Sequence, residues 1–353
     1  MRYKLLGRSG LRVSELCLGT MTFGTEWPIG ADYETSKGVF DAFANAGGTF
    51  VDTANRYTEG TSEKWVGEFV KADRDHFVVA TKYTLRDRAG DLNFGGNHRK
   101  NMMRSVEGSL KRMSMDCIDL LWLHAWDGLT PIDEVLRGLD DLVSQGKVHY
   151  IGISDTPAWV VSQANTIADF RGWNRFVALQ VEYSLVQRTA ERDLMPMAQA
   201  HEMSVTSWGS LAGGALTGKY LKGEAGRVPE NSLRRNERAN TIAHVVVDIA
   251  GELNMPPAAV ALAWVQSYHP LMIPIVGARR KEQLVDSLKA VEVELVQEQL
   301  ERLEIASAIE MGFPHDFLKS DIMKDVVFGG EYDKLVLPTY RAARPVGALQ
   351  KRG

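Results

Sequence analysis

The stretch Asp52-Thr53-Ala54-Asn55-Arg56-Tyr57 decides how the rest of the sequence is interpreted. It follows an apolar run that predicts a short buried strand, which puts Asp52 at the strand's C-terminal end and Tyr57 on the loop beyond it. Two later apolar runs end in the same way, one at Lys82 and the other at His124. A parallel barrel presents the C-terminal ends of all its strands on one face. The sequence therefore predicts that a carboxylate, a phenol, an ammonium and an imidazole meet in one place.

Short apolar runs alternate with amphipathic segments of helical length along most of the chain. The predicted strands are Glu15–Leu18, Thr49–Val51, Phe77–Thr81, Cys117–Leu123, Val148–Ile153, Ala178–Val181, Val205–Trp208 and Leu271–Ile275. The predicted helices are Tyr33–Asn45, Ser62–Val70, His98–Met113, Ile132–Gln145, Ala158–Arg171, Glu191–His201, Asn240–Glu252, Pro257–Tyr268, Lys281–Ala290 and Gln297–Ile309. About eight strand–helix units in one run fit a (β/α)8 TIM barrel better than a doubly wound sheet.

The domain organisation follows from where the sequence departs from this alternation. The first residues form two short runs around Gly7-Arg8-Ser9-Gly10, which predict a hairpin that closes the bottom of the barrel. Three long loops, 20–31, 85–97 and 212–238, each follow a strand and overhang the catalytic face. With no Gly/Pro-rich linker, residues 1–353 form a single domain. Its barrel core spans about 14–290, and the C-terminal helix and tail, 291–353, fold over the active-site mouth. Phe313 and Phe317 are candidates for closing that mouth.

Composition excludes several classes of protein. The 353 residues carry 41 basic and 45 acidic side chains and show no basic stripe, so a nucleic-acid partner is not expected. Cys17 and Cys117, the two cysteines, are interpreted as buried reduced thiols, which suits a reducing compartment. The N-terminus lacks the apolar core of a signal peptide, and Pro257–Tyr268, one of the most apolar helix candidates, is too short to cross a bilayer. We therefore expect a cytoplasmic protein without a membrane partner.

The four polar residues at the strand ends suit proton donation to a carbonyl oxygen. A free tyrosine has a pKa of about 10, and a nearby ammonium favours the phenolate and so lowers that pKa. A carboxylate beside the lysine keeps it charged, and a neutral imidazole can orient a substrate oxygen. No serine or cysteine is arranged with a base, so a hydride nucleophile has to come from a cofactor.

These residues carry a resemblance to the aldo-keto reductase superfamily that extends from about Tyr3 to Leu288. The family's DTA-x-x-Y-x-x-G-x-S-E segment is similar to DTANRYTEGTSE, which ends at Glu63. The resemblance implies a catalytic tetrad and the reduction of aldehydes or ketones to alcohols, or the reverse, with Tyr57 as the proton donor. The tetrad residues are Asp52, Tyr57, Lys82 and His124.

The resemblance also implies where a nicotinamide cofactor is held. Gly152-Ile153-Ser154-Asp155 resembles the family's GxSN strand end, although Asp155 departs from the asparagine, and Trp208 replaces the tyrosine that stacks on the nicotinamide. The implied cofactor contacts are Gly19, Thr20, Met21, Asp52, Ser154, Asp155, Gln180, Trp208, Gly209, Ser210, Leu211, Gly213, Lys219, Gly277, Arg279, Gln283 and Ser287.

The adenosine end of the cofactor corresponds to the segment 277–287, which follows the eighth strand. Arg279 and Arg280 precede a helix start, so two guanidinium groups and a helix N-terminus can meet a 2′-phosphate. This favours NADPH/NADP+ over NADH. Ser287 replaces the asparagine usual in the family for an adenine contact. No GxGxxG follows a first strand, so the dinucleotide is not held by a Rossmann domain.

The substrate is a small carbonyl or alcohol compound, and its pocket is predicted from aromatic residues on the loops around the tetrad: Phe23, Trp27, Phe94 and Trp126. Two other functions remain open. One is a non-catalytic, NADPH-binding redox-sensing subunit that resembles potassium-channel β-subunits. The other is a metal-dependent barrel hydrolase that uses His124, although no His-x-His or His-x-x-x-His occurs and no metal site is expected. The physiological substrate and the oligomeric state are left open.

Overall fold

The computed structural model describes residues 1–224, 226, 228–229 and 231–336. Eight parallel strands form a closed barrel in which each strand pairs with its neighbours in chain order and the last pairs with the first. The barrel strands are β3 Cys17–Gly19, β4 Phe50–Asp52, β5 Val78–Tyr83, β6 Ile118–Leu123, β7 Val148–Ser154, β8 Phe176–Glu182, β9 Ser204–Trp208 and β10 Met272–Val276. The predicted TIM barrel and its eight strands are confirmed. Asp52 and Lys82 lie within their strands, because the ladder pairs Asp52 with Gly19 and Lys82 with Trp122.

Helices cover the outside of the barrel. They are α1 Tyr33–Asn45, α2 Thr61–Val70, α3 Arg99–Met113, α4 Ile132–Ser144, α5 Ala158–Arg171, α6 Leu194–Ala200, α7 Glu237–Leu253, α8 Pro257–Tyr268, α9 Lys281–Leu288, α10 Gln297–Ser307, α11 His315–Lys319 and α12 Asp321–Val327. Capping explains two boundaries that the sequence analysis misplaced. The Asn236 side chain accepts from the backbone of Ala239, so α7 begins three residues early, and Asp193 caps α6, which therefore begins at Leu194. The short helices α11 and α12 were missed.

The N-terminal hairpin closes the bottom of the barrel, as predicted. Strands β1 Tyr3–Leu5 and β2 Arg12–Ser14 pair antiparallel. Leu6 and Val13 of the hairpin pack in one buried cluster with Phe50 and Trp122 from the barrel interior. Trp122 fills that interior so closely that a Cβ on Gly152 would lie 2.3 Å from its ring. The bottom is therefore a packed plug, which leaves the opposite face for chemistry.

The C-terminal part of the chain is described only to residue 336. Within it, Phe313 and Phe317 have 84% and 52% of their surface exposed. Whether the tail covers the mouth stays a prediction, and residues 337–353 lie outside the described residues. No single helix in the described part is long and apolar enough to cross a membrane, and α7 with α8 meets that test only as a pair bent by 102°.

Candidate active site

Lys82 is the centre of the candidate active site. It projects from β5, is fully buried, and its Nζ forms an ion pair with Asp52 Oδ2. The same Nζ donates to the Thr53 carbonyl oxygen at 2.9 Å and to Tyr57 Oη at 3.1 Å. An ammonium has three protons, so these three acceptors satisfy it fully. The structure thus brings together three of the four residues that the sequence predicted.

An unusual turn places Tyr57 over this lysine. Thr58 and Glu59 have φ values of 44° and 54°, and Gly60 follows with φ 93°. Left-handed backbone is unfavourable for a β-branched residue such as threonine. Here the Thr58 hydroxyl donates to the Phe23 carbonyl oxygen and accepts from the backbone of Ser62 at 3.1 Å. These bonds hold strained backbone directly beside a reactive side chain, a placement typical of functional sites.

His124 completes the group at the end of β6. Its ring meets the Tyr57 ring edge to face, with 5.9 Å between the centroids. Burial lowers the pKa of His124 well below its usual value, and the charge of Lys82 lowers it further. This lowered pKa favours the neutral imidazole at physiological pH. Its Nδ1 is buried and has no hydrogen-bond partner among the described residues.

The pKa of Tyr57 corrects one expectation. Burial raises this pKa above 10, and the opposing effect of Lys82 does not outweigh it, since Asp52 also favours the protonated phenol. The expectation that Lys82 brings the pKa below that of a free tyrosine is therefore wrong. Burial also acts to lower the pKa of Lys82, but Asp52 and Tyr57 raise it overall. The resting site thus holds a charged ammonium beside a protonated phenol.

The residues implied for the nicotinamide lie at the ends of β7, β8 and β9, next to the tetrad. Gln180 Nε2 donates to Asp52 Oδ1 at 3.1 Å, which occupies the second oxygen of that carboxylate. Ser154 Oγ is buried without a partner among the described residues. Asp155 Oδ1 accepts from the Trp208 indole Nε1 at 3.1 Å, and burial raises the pKa of Asp155. Asp155 thus orients the indole, a role that the sequence did not reveal.

Three of the four glycines implied for the cofactor, Gly19, Gly209 and Gly213, lie where space or backbone geometry favours glycine. A Cβ on Gly19 would lie 2.6 Å from Ile275, and one on Gly277 would lie 3.5 Å from the Gly19 carbonyl oxygen. In the loop after β9, Gly209 and Gly213 have φ values of 70° and 69°. Packing therefore requires glycine at position 19, and left-handed backbone favours it at positions 209 and 213.

The segment implied for the adenosine phosphate lies at the start of α9. Arg279 and Arg280 are exposed, and no side chain of the described residues caps this helix N-terminus. The Arg279 backbone N–H donates to Gln283 Oε1 at 3.1 Å. Ser287 is buried and its hydroxyl donates to the Gln283 carbonyl oxygen at 2.9 Å, so it stabilises the helix. The two guanidinium groups and the helix N-terminus together suit an anion.

Trp27 is the predicted pocket residue that lies nearest Tyr57. Their ring centroids are 6.3 Å apart, edge to face. The indole Nε1 donates to Glu59 Oε1 at 3.3 Å, and the Arg56 guanidinium lies 5.7 Å from the ring centroid. The turn that carries the phenol therefore also holds the loop of 20–31 in place.

The other three predicted pocket residues lie in different surroundings. Trp126 lines a cavity of about 480 Å3. In the chain, Trp126 follows His124 by two positions, but His124 is not part of the cavity wall. Phe23 is fully buried against Phe69, so it supports the wall of the site from within the core. Phe94 lies against arginine side chains in a separate cavity of about 300 Å3.

Two supporting networks were missed in the sequence. Ser62 Oγ is 2.8 Å from both Thr20 Oγ1 and Thr53 Oγ1. These hydrogen bonds link the start of α2 to the ends of β3 and β4. Glu63 is buried and pairs with Arg112 while it accepts from Thr81 Oγ1. The sequence did mark these two residues, because Ser62 and Glu63 end the motif DTANRYTEGTSE. The motif does not show which residues they contact.

Comparison with known proteins agrees with this site. The model of the aldo/keto reductase family matches residues 15–308. The chain belongs to the aldo/keto reductase family. It is therefore an oxidoreductase that acts on carbonyl and alcohol groups of small molecules.

Three relatives match most of this aldo/keto reductase. Norsolorinic acid reductase stcV of Emericella nidulans is 38% identical and the match covers 88% of this chain and 82% of the relative. An aryl-alcohol dehydrogenase of Pestalotiopsis microspora is also 38% identical, over 90% of this chain and 85% of its own. The aryl-alcohol dehydrogenase (NADP(+)) of Phanerodontia chrysosporium is 37% identical, over 95% of this chain and 93% of its own.

Within the described part of the chain, no group of three or more histidine, cysteine, aspartate or glutamate residues could hold a metal ion. The hydrolase alternative is wrong, because the chain belongs to the aldo/keto reductase family.

Proposed function

We propose that this protein reduces aldehydes or ketones to alcohols with NADPH, and that Tyr57 donates the proton. The observation that supports this most directly is the network around Lys82. The ammonium holds the phenol oxygen at 3.1 Å and is itself held by Asp52. A phenol in that position can lose a proton to a substrate oxygen because the resulting phenolate stays next to a positive charge.

The residues around the tetrad fit a nicotinamide dinucleotide. Ser154 has a buried hydroxyl without a partner among the described residues, and it lies at the end of β7 beside Gln180. Arg279 and Arg280 provide two exposed guanidinium groups at the start of α9, suited to a 2′-phosphate. The name of the Phanerodontia chrysosporium relative specifies NADP(+), which favours the same cofactor here.

In the proposed reaction, each residue of the tetrad has a separate role. When bound, a dihydronicotinamide would supply the hydride for the carbonyl carbon. His124, neutral because of its lowered pKa, donates a hydrogen bond that orients the carbonyl oxygen near Tyr57. The phenol gives its proton to that oxygen, and Lys82 stabilises the phenolate that remains. Asp52 keeps Lys82 charged throughout, so hydride and proton together yield a neutral alcohol.

We further propose that the substrate is an aromatic or bulky carbonyl compound. The Trp27 ring contacts the Tyr57 ring, and Trp126, which follows His124 closely in the chain, lines a cavity of about 480 Å3. Such rings suit flat apolar ligands. The name aryl-alcohol dehydrogenase, carried by two relatives, agrees with an aromatic substrate.

The test is NADPH oxidation, followed by absorbance, with a panel of aromatic aldehydes and bulky ketones. We expect carbonyl-dependent oxidation by the wild type. Tyr57→Phe is expected to lower kcat by about 10²–10⁴-fold, since it keeps the ring and removes the proton. NADP+ binding, followed by quenching of tryptophan fluorescence, is expected to stay within about twofold, since the phenol is not among the implied cofactor contacts.

A matched control is Tyr150→Phe, which removes a phenol on β7 and is expected to leave kcat unchanged. Turnover that is equal in wild type and Tyr57→Phe would refute Tyr57 as the proton donor. Tight NADPH binding without turnover on any carbonyl would instead favour the redox-sensing alternative.

A further inference from the structure

A second polar cavity lies beside the turn that carries Tyr57. It has a volume of about 300 Å3, and its wall combines four arginines with two carboxylates. Two further carboxylates, Asp91 and Glu63, pair with Arg88 and Arg112 from outside the wall, so the positive charges are balanced and the wall contributes unused N–H donors. None of its residues belongs to the tetrad or to the implied cofactor contacts. The lining residues are Asn55, Arg56, Glu59, Asp87, Arg88, Phe94, Arg104 and Arg112.

Each guanidinium group of this wall contacts another side chain. The Cζ atoms of Arg88 and Arg104 lie 3.8 Å and 4.0 Å from the centroid of the Phe94 ring. Arg104 Nη1 donates to Asp87 Oδ2 at 2.8 Å, and Arg112 pairs with the buried Glu63. A guanidinium has five N–H donors, and these pairs engage only some of them. The wall therefore offers further donors at preset positions.

Three buried polar atoms of the wall have no hydrogen-bond partner among the described residues: Asn55 Oδ1, Asp87 Oδ1 and Arg104 Nε. Asn55 is only 1% exposed, and its Nδ2 donates to the Leu85 carbonyl oxygen at 2.9 Å. That bond leaves Oδ1 as a fixed acceptor. Buried polar groups are nearly always satisfied, so atoms of this kind point to a ligand, an ion or a water molecule.

We propose that this cavity binds a protonated phosphate group, of which inorganic hydrogenphosphate is the simplest. The arginines supply charge-assisted donors to the phosphate oxygens. Asn55 Oδ1 and Asp87 Oδ1 are acceptors, so the ligand also has to donate. Hydrogenphosphate keeps at least one O–H at neutral pH, whereas sulfate has none, and next to Asp87 a sulfate oxygen would be repelled.

The site joins three parts of the chain that flank the substrate side. Asn55 and Glu59 belong to the turn around Tyr57, Asp87 and Phe94 belong to the loop after β5, and Arg104 belongs to α3. A bound phosphate would fasten that loop to the turn. Hydrogen–deuterium exchange of backbone amides in both segments is therefore expected to slow when phosphate binds.

The test compares phosphate with sulfate by isothermal titration calorimetry at pH 7 and constant ionic strength. The full-length Arg279→Ala/Arg280→Ala variant is used, because it removes the other candidate phosphate site and makes the result independent of the proposed cofactor. We expect phosphate to bind at least tenfold more tightly than sulfate. Glycerol phosphate in a third titration distinguishes an ester from the free anion.

Asp87→Asn is the decisive variant, since an amide can donate to sulfate and no longer repels it. We expect the preference for phosphate over sulfate to fall at least tenfold. The control is Asp169→Asn, which alters an aspartate that pairs with Arg175 at the other end of the barrel and should leave the preference unchanged. Equal affinity for the two anions, no binding of either, or a preference that Asp87→Asn does not change would overturn the proposal and leave ordered water as the occupant.

Discussion

The tetrad and the pair Arg279–Arg280 show two opposite ways in which this protein holds positive charge. Lys82 is fully buried, and all three of its protons have acceptors within the protein. Arg279 and Arg280 are exposed at the start of α9, and their side chains form no hydrogen bond or ion pair with the described residues. Both regions lie at the C-terminal ends of barrel strands.

The difference follows from solvation. A buried ammonium is stable only when it is paired, so its partners have to be present before any ligand arrives. An exposed guanidinium is solvated by water and can exchange that water for a phosphate when the ligand binds. The proposed catalytic geometry is therefore built into the resting fold, whereas the proposed contact with the 2′-phosphate forms only with the cofactor.

Lys82→Met should have the largest effect, because it leaves Asp52 as an unpaired buried charge. We expect the free energy of unfolding to fall by about 3–5 kcal/mol, measured by urea denaturation. The rate of carbonyl reduction should fall by about 10²–10⁴-fold, since the phenolate loses its stabilising charge.

The double variant Asp52→Asn/Lys82→Met separates the two effects. It removes both charges, so most of the lost stability should return while the activity stays low. If the double variant were no more stable than Lys82→Met, the ion pair would not be the source of the loss.

Arg279→Ala/Arg280→Ala should affect binding and spare stability. The Kd for NADPH should rise about tenfold to a hundredfold, as expected for lost charge-assisted bonds, with little change for NADH. Fluorescence quenching measures both affinities. Arg8→Ala/Arg12→Ala removes two exposed arginines from the hairpin at the bottom and serves as the matched control. An equal loss of affinity for NADPH and NADH would contradict a 2′-phosphate contact.

The smallest effect expected is that of pH on reduction. Reduction needs a protonated Tyr57, whose pKa lies above 10, and a neutral His124, whose pKa lies well below 6.5. The value of kcat/KM for the carbonyl should therefore stay nearly constant between these two limits. Alcohol oxidation needs the phenolate, so its rate should rise by about tenfold per pH unit below the pKa. A loss of reduction between pH 7 and 9 would show that Tyr57 is more acidic than the buried site implies.

The sequence predicted the barrel and the positions of Asp52, Lys82 and His124 at the C-terminal ends of strands, because both depend on short-range patterns. The apolar run before Asp52, and those that end at Lys82 and His124, show which residues occur at strand ends. Parallel topology then requires these ends to share one face. Helix boundaries were less accurate, since side-chain caps such as Asn236 decide them.

Other features depend on contacts between residues far apart in the chain. Trp208 and Asp155 are 53 positions apart and form a hydrogen bond only because β7 and β9 close into the same barrel. Asn55 stands inside the most informative motif of the sequence, yet its unpartnered oxygen becomes visible only when the loop after β5 folds against it.

By itself, the sequence determined the strand order, the closed barrel and the four residues that meet at its mouth, because hydrophobic periodicity and chain order are local properties. Only the tertiary structure decided the protonation states and the second cavity. A pKa depends on burial and on charges brought together from separate strands, and the direction for Tyr57 reversed when burial outweighed Lys82. The arginine cavity likewise exists only where α3, the loop after β5 and the turn at Tyr57 meet.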